Sequence, residues 1–240
     1  MKEYHIFYAP DVERTSCLPD DEAAHAVRVL RMQAGDELLC TDGRGHLFHC
    51  TIDLATKHSC HLSLDGKEDW QRTWQSDICL AVAPTKNLDR MEWLAEKATE
   101  IGLDRLTFLR TANSERTVVK AERIDRILVS AMKQSHKALK PQLDALTAFR
   151  DLIAQTDCPQ RFIAHCYATA QPKPHLLDVC RPDVHTQVLI GPEGDFTPDE
   201  VEAALAAGYQ AVSLGESRLR TETAALAAVH IMQLTKRCLP

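Results

Sequence analysis

The sequence predicts an α/β protein in two parts: a small β-rich unit, then a larger unit whose strands and helices alternate around a mainly parallel sheet. Three observations predict it. Ile78-Cys79-Leu80-Ala81-Val82-Ala83 is apolar on both faces, as a strand covered by helices on both sides must be. The strand-like runs after it are separated by segments of helical period rather than by tight turns. Two of those runs, ending at Ile190 and Leu214, stop at a glycine (Gly191, Gly215), turn, and restart as a helix.

Taken in order, residues 1–70 read as the β-rich unit. Alternating segments at 5–8, 37–41, 46–53 and 59–64 are separated by turn chemistry at Ala34-Gly35-Asp36 and Asp42-Gly43-Arg44-Gly45, and one helix over 21–30 interrupts them. The polar stretch 65–77 reads as a linker, and residues 71–240 as the second domain. There Asp89 starts a helix, with Glu92 completing a capping box; Met91, Leu94, Ala95, Ala98 and Ile101 form its buried stripe, and Gly102 ends it. Further strands are expected at 106–109, 161–165, 187–190 and 211–214. A helix over 121–139 buries Ile124, Ile127, Leu128, Ala131 and Met132 and turns its basic residues outward.

The 240 residues are 45% hydrophobic and 26% charged, enough apolar material for a core. No run approaches the roughly 18 apolar residues of a membrane span. Met1 to Pro10 has no signal-peptide pattern, so a cytoplasmic protein is expected. Nine cysteines, an odd number without a Cys-x-x-Cys pair, argue against a disulfide framework. Cys40, His46, His49, Cys50, His58, Cys60 and His61 crowd one region, but they alternate with apolar residues as strands do, so no metal site is expected. The net charge of −6 argues against a nonspecific nucleic-acid binder. Local charge differs. From Arg110 to Lys140 eight basic residues meet three acidic ones, leaving +5, and Arg28, Arg31 and Arg44 form a second basic cluster. Such patches suit phosphate contacts, or else a solvated helix face. With aromatics at 5%, nucleic-acid contact would rest on charge rather than stacking.

After Ile190 the chain turns sharply, which Gly191 and Gly194 permit and Pro192 stiffens. Thr197 then caps a helix, with Pro198 at its first position and Glu200 completing a capping box; Gly208 closes it. The second loop, 215–220, carries Arg218 and Arg220 and feeds a helix that begins Thr221-Glu222-Thr223-Ala224. Its body, Ala224-Ala225-Leu226-Ala227-Ala228-Val229, is rich in small residues, which suits a tightly threaded C-terminus or a subunit interface. Two such loops at the same ends of adjacent strands make a crevice lined by backbone N–H groups, the usual ligand position in an open α/β sheet. Neither a G-x-G-x-x-G fingerprint nor a Walker A loop occurs, which removes the usual grounds for hydride transfer and nucleoside-triphosphate hydrolysis.

The Gly191-Pro192-Glu193-Gly194 loop, Ser213-Leu214-Gly215, and Leu219-Arg220-Thr221-Glu222-Thr223-Ala224 resemble the RsmE-type methyltransferases of the SPOUT, or trefoil-knot, class. The likeness runs over essentially the whole chain. His25-Ala26-Val27-Arg28-Val29-Leu30-Arg31-Met32 with Gly35-Asp36 is similar to the family's N-terminal segment. Asp89-Arg90-Met91-Glu92-Trp93, Lys97-Ala98-Thr99-Glu100-Ile101-Gly102, Ser114-Glu115-Arg116-Thr117-Val118 and Gln134-Ser135 match its middle. Asp195 stands where a glycine is frequent, and His5 where arginine is.

The resemblance implies a SPOUT α/β trefoil-knot domain preceded by a small PUA-like RNA-binding β-barrel. It implies S-adenosylmethionine as cofactor and methylation of uridine N3 at position 1498 of 16S ribosomal RNA in the small ribosomal subunit, by a homodimer. Carried onto this sequence, it assigns cofactor binding to Leu189, Ile190, Gly191, Glu193, Gly194, Leu214, Gly215, Leu219, Arg220 and Thr221. RNA contacts fall to Arg28, Arg31, Arg116, Lys133, Gln134 and Arg218. Arg116 or Arg220 would stabilise the uridine anion, and Glu222 or Glu193 would accept the N3 proton. Two other readings fit the same motifs: a knotted methyltransferase for another RNA or base atom, and a non-catalytic RNA-binding assembly factor.

Overall fold

The computed structural model describes residues 4–56, 59–168 and 172–238. The chain forms two compact units, residues 1–71 with 129–140, and residues 72–128 with 141–240.

The first unit contains β1 (Ile6–Tyr8), α1 (Val12–Thr15), α2 (Asp20–Ala24), β2 (Glu37–Thr41), β3 (His46–Ala55) and β4 (Cys60–Asp69). Its sheet runs β1-β2-β3-β4, with β1 parallel to β2 and the other pairs antiparallel. Strand alternation sends Leu38, Cys40, Phe48, Cys50, Ile52, Cys60 and Leu62 into one core with Phe7 and Val12. The three cysteines of the crowded region are therefore core residues. His49 and His61 are exposed, His46 meets Asp42 at 2.7 Å, and His58 lies outside the described residues. Among the described residues, no group of three or more His, Cys, Asp or Glu side chains is arranged to hold a metal ion.

Two local expectations change. β4 continues to Asp69, so part of the stretch read as a linker is strand. It has no apolar face there, but the ladder opposite His46, Leu47, Phe48 and His49 holds it through backbone bonds. The helix expected over 21–30 is α2 followed by a π-helical turn, His25–Val29, and Arg31 (φ 57°) breaks it in the left-handed region. The segment 129–140 is bonded into this unit: the Ala138 carbonyl accepts from the Thr41 hydroxyl at 3.1 Å and from the Gly45 N–H at 2.9 Å. The Lys133 ammonium pairs with the buried Glu22 carboxylate.

The second unit contains β5 (Ile78–Val82), α3 (Leu88–Ile101), β6 (Arg105–Arg110), the start of α4 (Ala121–Gln134), β7 (Gln142–Ala148), α5 (Phe149–Gln155), β8 (Gln160–Ala164), α6 (Leu176–Val179), β9 (Thr186–Ile190), α7 (Pro198–Ala206), β10 (Gln210–Val212) and α8 (Thr221–Lys236). Six strands lie in the order β10-β8-β9-β5-β6-β7, and every neighbouring pair is parallel. Every residue of β5 and β9 is buried; β5 is apolar throughout, whereas β9 buries Thr186 and Gln187 by pairing them, Thr186 donating to the Gln160 side-chain carbonyl at 3.0 Å and Gln187 accepting from the Tyr209 hydroxyl at 2.5 Å.

β7 was not expected, because Gln142 and Asp144 disguise it. As an edge strand it tolerates them, and the Asp144 carboxylate accepts from Arg105 and from Thr107, both at 2.6 Å. α3 begins before Asp89: Asn87 is the cap, its side chain accepting from the Asp89 N–H at 3.0 Å, and Glu92 instead meets Arg123 at 2.6 Å. Met91, Leu94, Ala95 and Ala98 are buried as expected, whereas Ile101 is half-buried. α4 stops at Gln134 rather than 139, where the Ser135 hydroxyl donates back to the Ala131 carbonyl and His136 turns left-handed.

α8 buries Thr221, Ala225, Ala228, Val229, Met232 and Lys236 along one stripe that packs against α3 and β5. Lys236 has no exposed surface, and its ammonium donates to Ser76 Oγ (2.6 Å), to the Arg181 carbonyl (3.2 Å) and to the Val184 carbonyl. No helix among the described residues is long and apolar enough to cross a membrane.

Candidate active site

From β5 the chain steps through β6 to β7 on one side, while β9, β8 and β10 extend the other. The reversal between β5 and β9 is a topological switch point, and open α/β sheets bind ligands outside the carboxyl ends of strands at such a point. A cleft of about 810 Å³ opens beside it, at the carboxyl ends of β9, β8 and β10. Its walls are Ala164, His165 and Cys166 after β8, Ile190 to Glu193 and Asp195 after β9, and the continuous stretch from Val212 to Thr221. The two glycine loops do not follow adjacent strands, as the sequence led us to expect. β8 lies between β9 and β10, so its own end supplies a third wall.

The first loop uses its glycines for space rather than for backbone freedom. Neither Gly191 nor Gly194 has a positive φ; the left-handed residue is Asp195, at φ 59°. A Cβ on Gly191 would sit 3.1 Å from the Phe196 nitrogen and 3.2 Å from its buried ring. One on Gly194 would lie 3.3 Å from Asn113 Cβ. The Asp195 carboxylate accepts from the Cys166 N–H (2.7 Å) and the Phe196 N–H (2.8 Å), and the Asn113 amide donates to the Gly194 and Asp195 carbonyls. The Thr197–Glu200 capping box then starts α7 as its sequence requires. In the second loop Gly215 does need glycine (φ 121°). The Thr221 hydroxyl donates to the Gly191 carbonyl at 3.1 Å and ties the two loops together.

Charge is concentrated on the rim. Arg90, Lys173, Arg218 and Arg220 line the cleft with Glu193, Asp195 and Glu216. Arg90 Nη1 lies 3.1 Å from Oε1 of Glu222, which is buried, while Glu222 Oε2 has no hydrogen-bond partner among the described residues. His165 is only 8% exposed, and neither of its ring nitrogens has a partner among the described residues. Burial, and secondarily the Lys173 charge, push its pKa below the ordinary histidine value against the pull of Asp195. The Lys173 ammonium donates to the carbonyls of His165 (2.5 Å) and Tyr167 (2.9 Å).

Of the residues singled out from sequence, Ile190, Gly191, Glu193, Leu214, Gly215, Arg218, Leu219, Arg220 and Thr221 line this cleft. Leu189 lies in the core beneath the loop, and Gly194 faces Asn113. Glu222 stands behind Arg90. Arg116 is exposed but outside the lining, its Nε donating to the Lys86 carbonyl at 2.9 Å. In the first unit Arg28, Arg31 and Gln134 are exposed, whereas Lys133 is engaged by Glu22. Sequence reasoning missed Arg90, His165, Cys166, Lys173 and Asp195. A histidine closing an expected parallel strand was the available signal, since strand carboxyl ends face the ligand.

A family described as RNA methyltransferase domain matches residues 72–233. The chain belongs to this family. A second match, described as RNA methyltransferase PUA domain, covers residues 18–65. Among solved structures, the chain is similar to one named a probable rRNA-methyltransferase from Porphyromonas gingivalis, with 48% identity, a TM-score of 0.91, and coverage of 96% of this chain and 98% of that one. It is also similar to a ribosomal RNA small subunit methyltransferase E from Neisseria gonorrhoeae bound to S-adenosylmethionine (27% identity, TM-score 0.83, 97% and 98% covered). The ribosomal RNA small subunit methyltransferase E of Synechocystis is 29% identical over 236 residues, 94% of this chain and 76% of that protein. The resemblance drawn from the loops is thus borne out, as is an α/β methyltransferase fold with an N-terminal PUA domain.

Proposed function

We propose that this RNA methyltransferase transfers a methyl group from S-adenosylmethionine to N3 of a uridine in the 16S ribosomal RNA of the small ribosomal subunit, at the position equivalent to 1498. The observation that carries the proposal is the cleft itself: two tethered loops of the resembling sequence beside a sheet switch point, in a chain with relatives named for methylation of small-subunit ribosomal RNA, one of them solved with S-adenosylmethionine bound. The residues fit the cofactor. The volume lies in the range of small-molecule sites, the walls near Gly191 and Gly215 present backbone, and the buried His165, without a partner among the described residues, marks a polar position inside.

When bound, S-adenosylmethionine supplies an electrophilic methyl group on a sulfonium. Ile190, Leu214 and Leu219 would enclose the nucleoside, with backbone groups of Gly191 and Gly215 meeting its polar edge. Holding donor and base in line is itself worth roughly 7–11 kcal/mol. Arg220, on the cleft wall, would stabilise negative charge developing on the uridine, and the N3 proton would pass to Glu222, which stands behind Arg90 and would take it through water, or to Glu193 on the wall. Arg116 and Arg218 in the second unit, and Arg28, Arg31 and Gln134 in the first, would contact RNA. Lys133 is better assigned to holding Glu22, because its charge is already neutralised.

Action in the cytoplasm as a homodimer belongs to the same reading. Trp93 on α3 and Leu234 on α8, helices that pack on each other, remain exposed and would lie at a subunit contact. Mass spectrometry of ribosomal RNA from a deletion strain tests the proposal. N3-methyluridine should disappear from the small subunit and return on complementation. Its persistence, or loss of a different modification, overturns the assignment.

A further inference from the structure

His165 ends β8 inside the cleft wall, and it is 8% exposed. Both Nδ1 and Nε2 are shielded and lack a hydrogen-bond partner among the described residues. A buried imidazole left unpaired costs free energy, so its retention calls for a partner supplied from elsewhere. Its neighbours among the described residues are committed elsewhere. The Lys173 ammonium is committed to the His165 and Tyr167 carbonyls, the Asp195 carboxylate to the Cys166 and Phe196 N–H groups, and the Tyr167 hydroxyl to the Phe196 carbonyl.

The same surroundings keep the ring neutral, so it presents one N–H donor and one lone pair. A carboxylate only accepts and an ammonium only donates, and both find ionic partners on the rim, in Arg90, Arg218 and Arg220 or in Glu193 and Glu216. In the cofactor reading, the adenine edge would be served by the backbone near Gly191 and Gly215. A sugar hydroxyl both donates and accepts, which suits a neutral imidazole.

We propose that His165 is a binding residue that hydrogen-bonds a ribose hydroxyl of the adenosine moiety, and thereby selects a ribonucleoside cofactor; this rests on the cofactor reading above. Calorimetry with S-adenosylhomocysteine and its 2′-deoxy and 3′-deoxy counterparts tests it. The wild type should bind the parent about tenfold more tightly than at least one deoxy form. His165→Leu should bind the parent about tenfold more weakly and no longer discriminate, while His165→Asn keeps part of the preference.

If the wild type binds S-adenosylhomocysteine but His165→Leu binds it equally well, or discriminates equally, the role of His165 is refuted and the cofactor reading stands. If the wild type binds none of the three, the cofactor reading itself falls, and this inference with it. Should the leucine variant not fold, two-bond ¹H–¹⁵N spectra of the wild-type ring decide. A shift of the His165 nitrogens on adding S-adenosylhomocysteine is expected, and unmoved signals overturn the inference.

Discussion

Replacing Asp195 with glycine sets two effects of opposite sign against each other at the heart of the first loop. Glycine relieves a left-handed backbone (φ 59°), worth about 1 kcal/mol for a residue with a Cβ. It also removes a carboxylate that accepts from the Cys166 N–H at 2.7 Å and the Phe196 N–H at 2.8 Å. Hydrogen bonds to a charged group contribute about 1.5–3 kcal/mol each. Cys166 is exposed, so water replaces part of the loss and the lower figure applies, roughly 3 kcal/mol for the pair. Glycine's extra freedom in the unfolded chain adds about 0.5–1 kcal/mol to the cost. The carboxylate wins, and Asp195→Gly should be less stable by about 2–3 kcal/mol. For a chain of this length, each kcal/mol lowers the melting temperature by roughly 2–4 °C. Cofactor affinity should fall with stability, because Asp195 couples the end of β8 to the loop after β9. Asp195→Asn, which keeps an acceptor and tolerates the backbone, should lose less than half as much. Differential scanning calorimetry and cofactor titration give both quantities. A glycine variant as stable as the wild type, with unchanged affinity, would show that backbone strain dominates and that the tether is not made.

Glu222→Gln should lower turnover by about 10²–10⁴ with cofactor affinity little changed, and unaltered turnover at saturating cofactor removes Glu222 as proton acceptor. Arg31→Ala should reduce the salt slope of RNA binding by roughly one, whereas Lys133→Ala should leave it unchanged and lower the stability of the first unit, because Glu22 loses its partner; equal slope changes would contradict this. Lys236→Met removes the buried ammonium that donates to Ser76 and to the Arg181 and Val184 carbonyls and should cost about 2 kcal/mol in urea titrations, with an unchanged m-value. Stability of the second unit should fall as pH drops below the ordinary histidine value of 6.5, since the unfolded chain takes up the proton that burial and Lys173 deny His165, with Asp195 opposing. His165→Gln should flatten that limb, and a parallel pH profile would refute the assignment.

What was legible in the sequence follows from where the controlling interactions lie. β5 announces itself because burial on both faces demands an unbroken apolar run, and β9 does so only through Val188, Leu189 and Ile190, since its buried Thr186 and Gln187 depend on Gln160 and Tyr209. α7 does so because Thr197, Pro198 and Glu200 settle its first turn among themselves. β7 was illegible because an edge strand can carry Gln142 and Asp144. The cap of α3 was misplaced because Asn87, just ahead of the expected start, does the capping. Lys133 looked like a phosphate ligand because its partner, Glu22, is distant in sequence. His165 was overlooked for a topological reason: no local pattern says that β8 inserts between β9 and β10.

That insertion also fixes a length. The loops after β9 and β10 stand two inter-strand spacings apart, roughly 10 Å across the hydrogen-bonding direction. The sheet acts as a gauge whose jaws spring from strand ends spaced by strand count, with the Thr221 hydroxyl on the Gly191 carbonyl closing one side. A free amino acid or a lone base is too short to touch both jaws at once, whereas a nucleoside carrying an amino-acid tail reaches across. Repacking the walls can retune which atoms are greeted, but the spacing of the strand ends beneath them changes only with strand order.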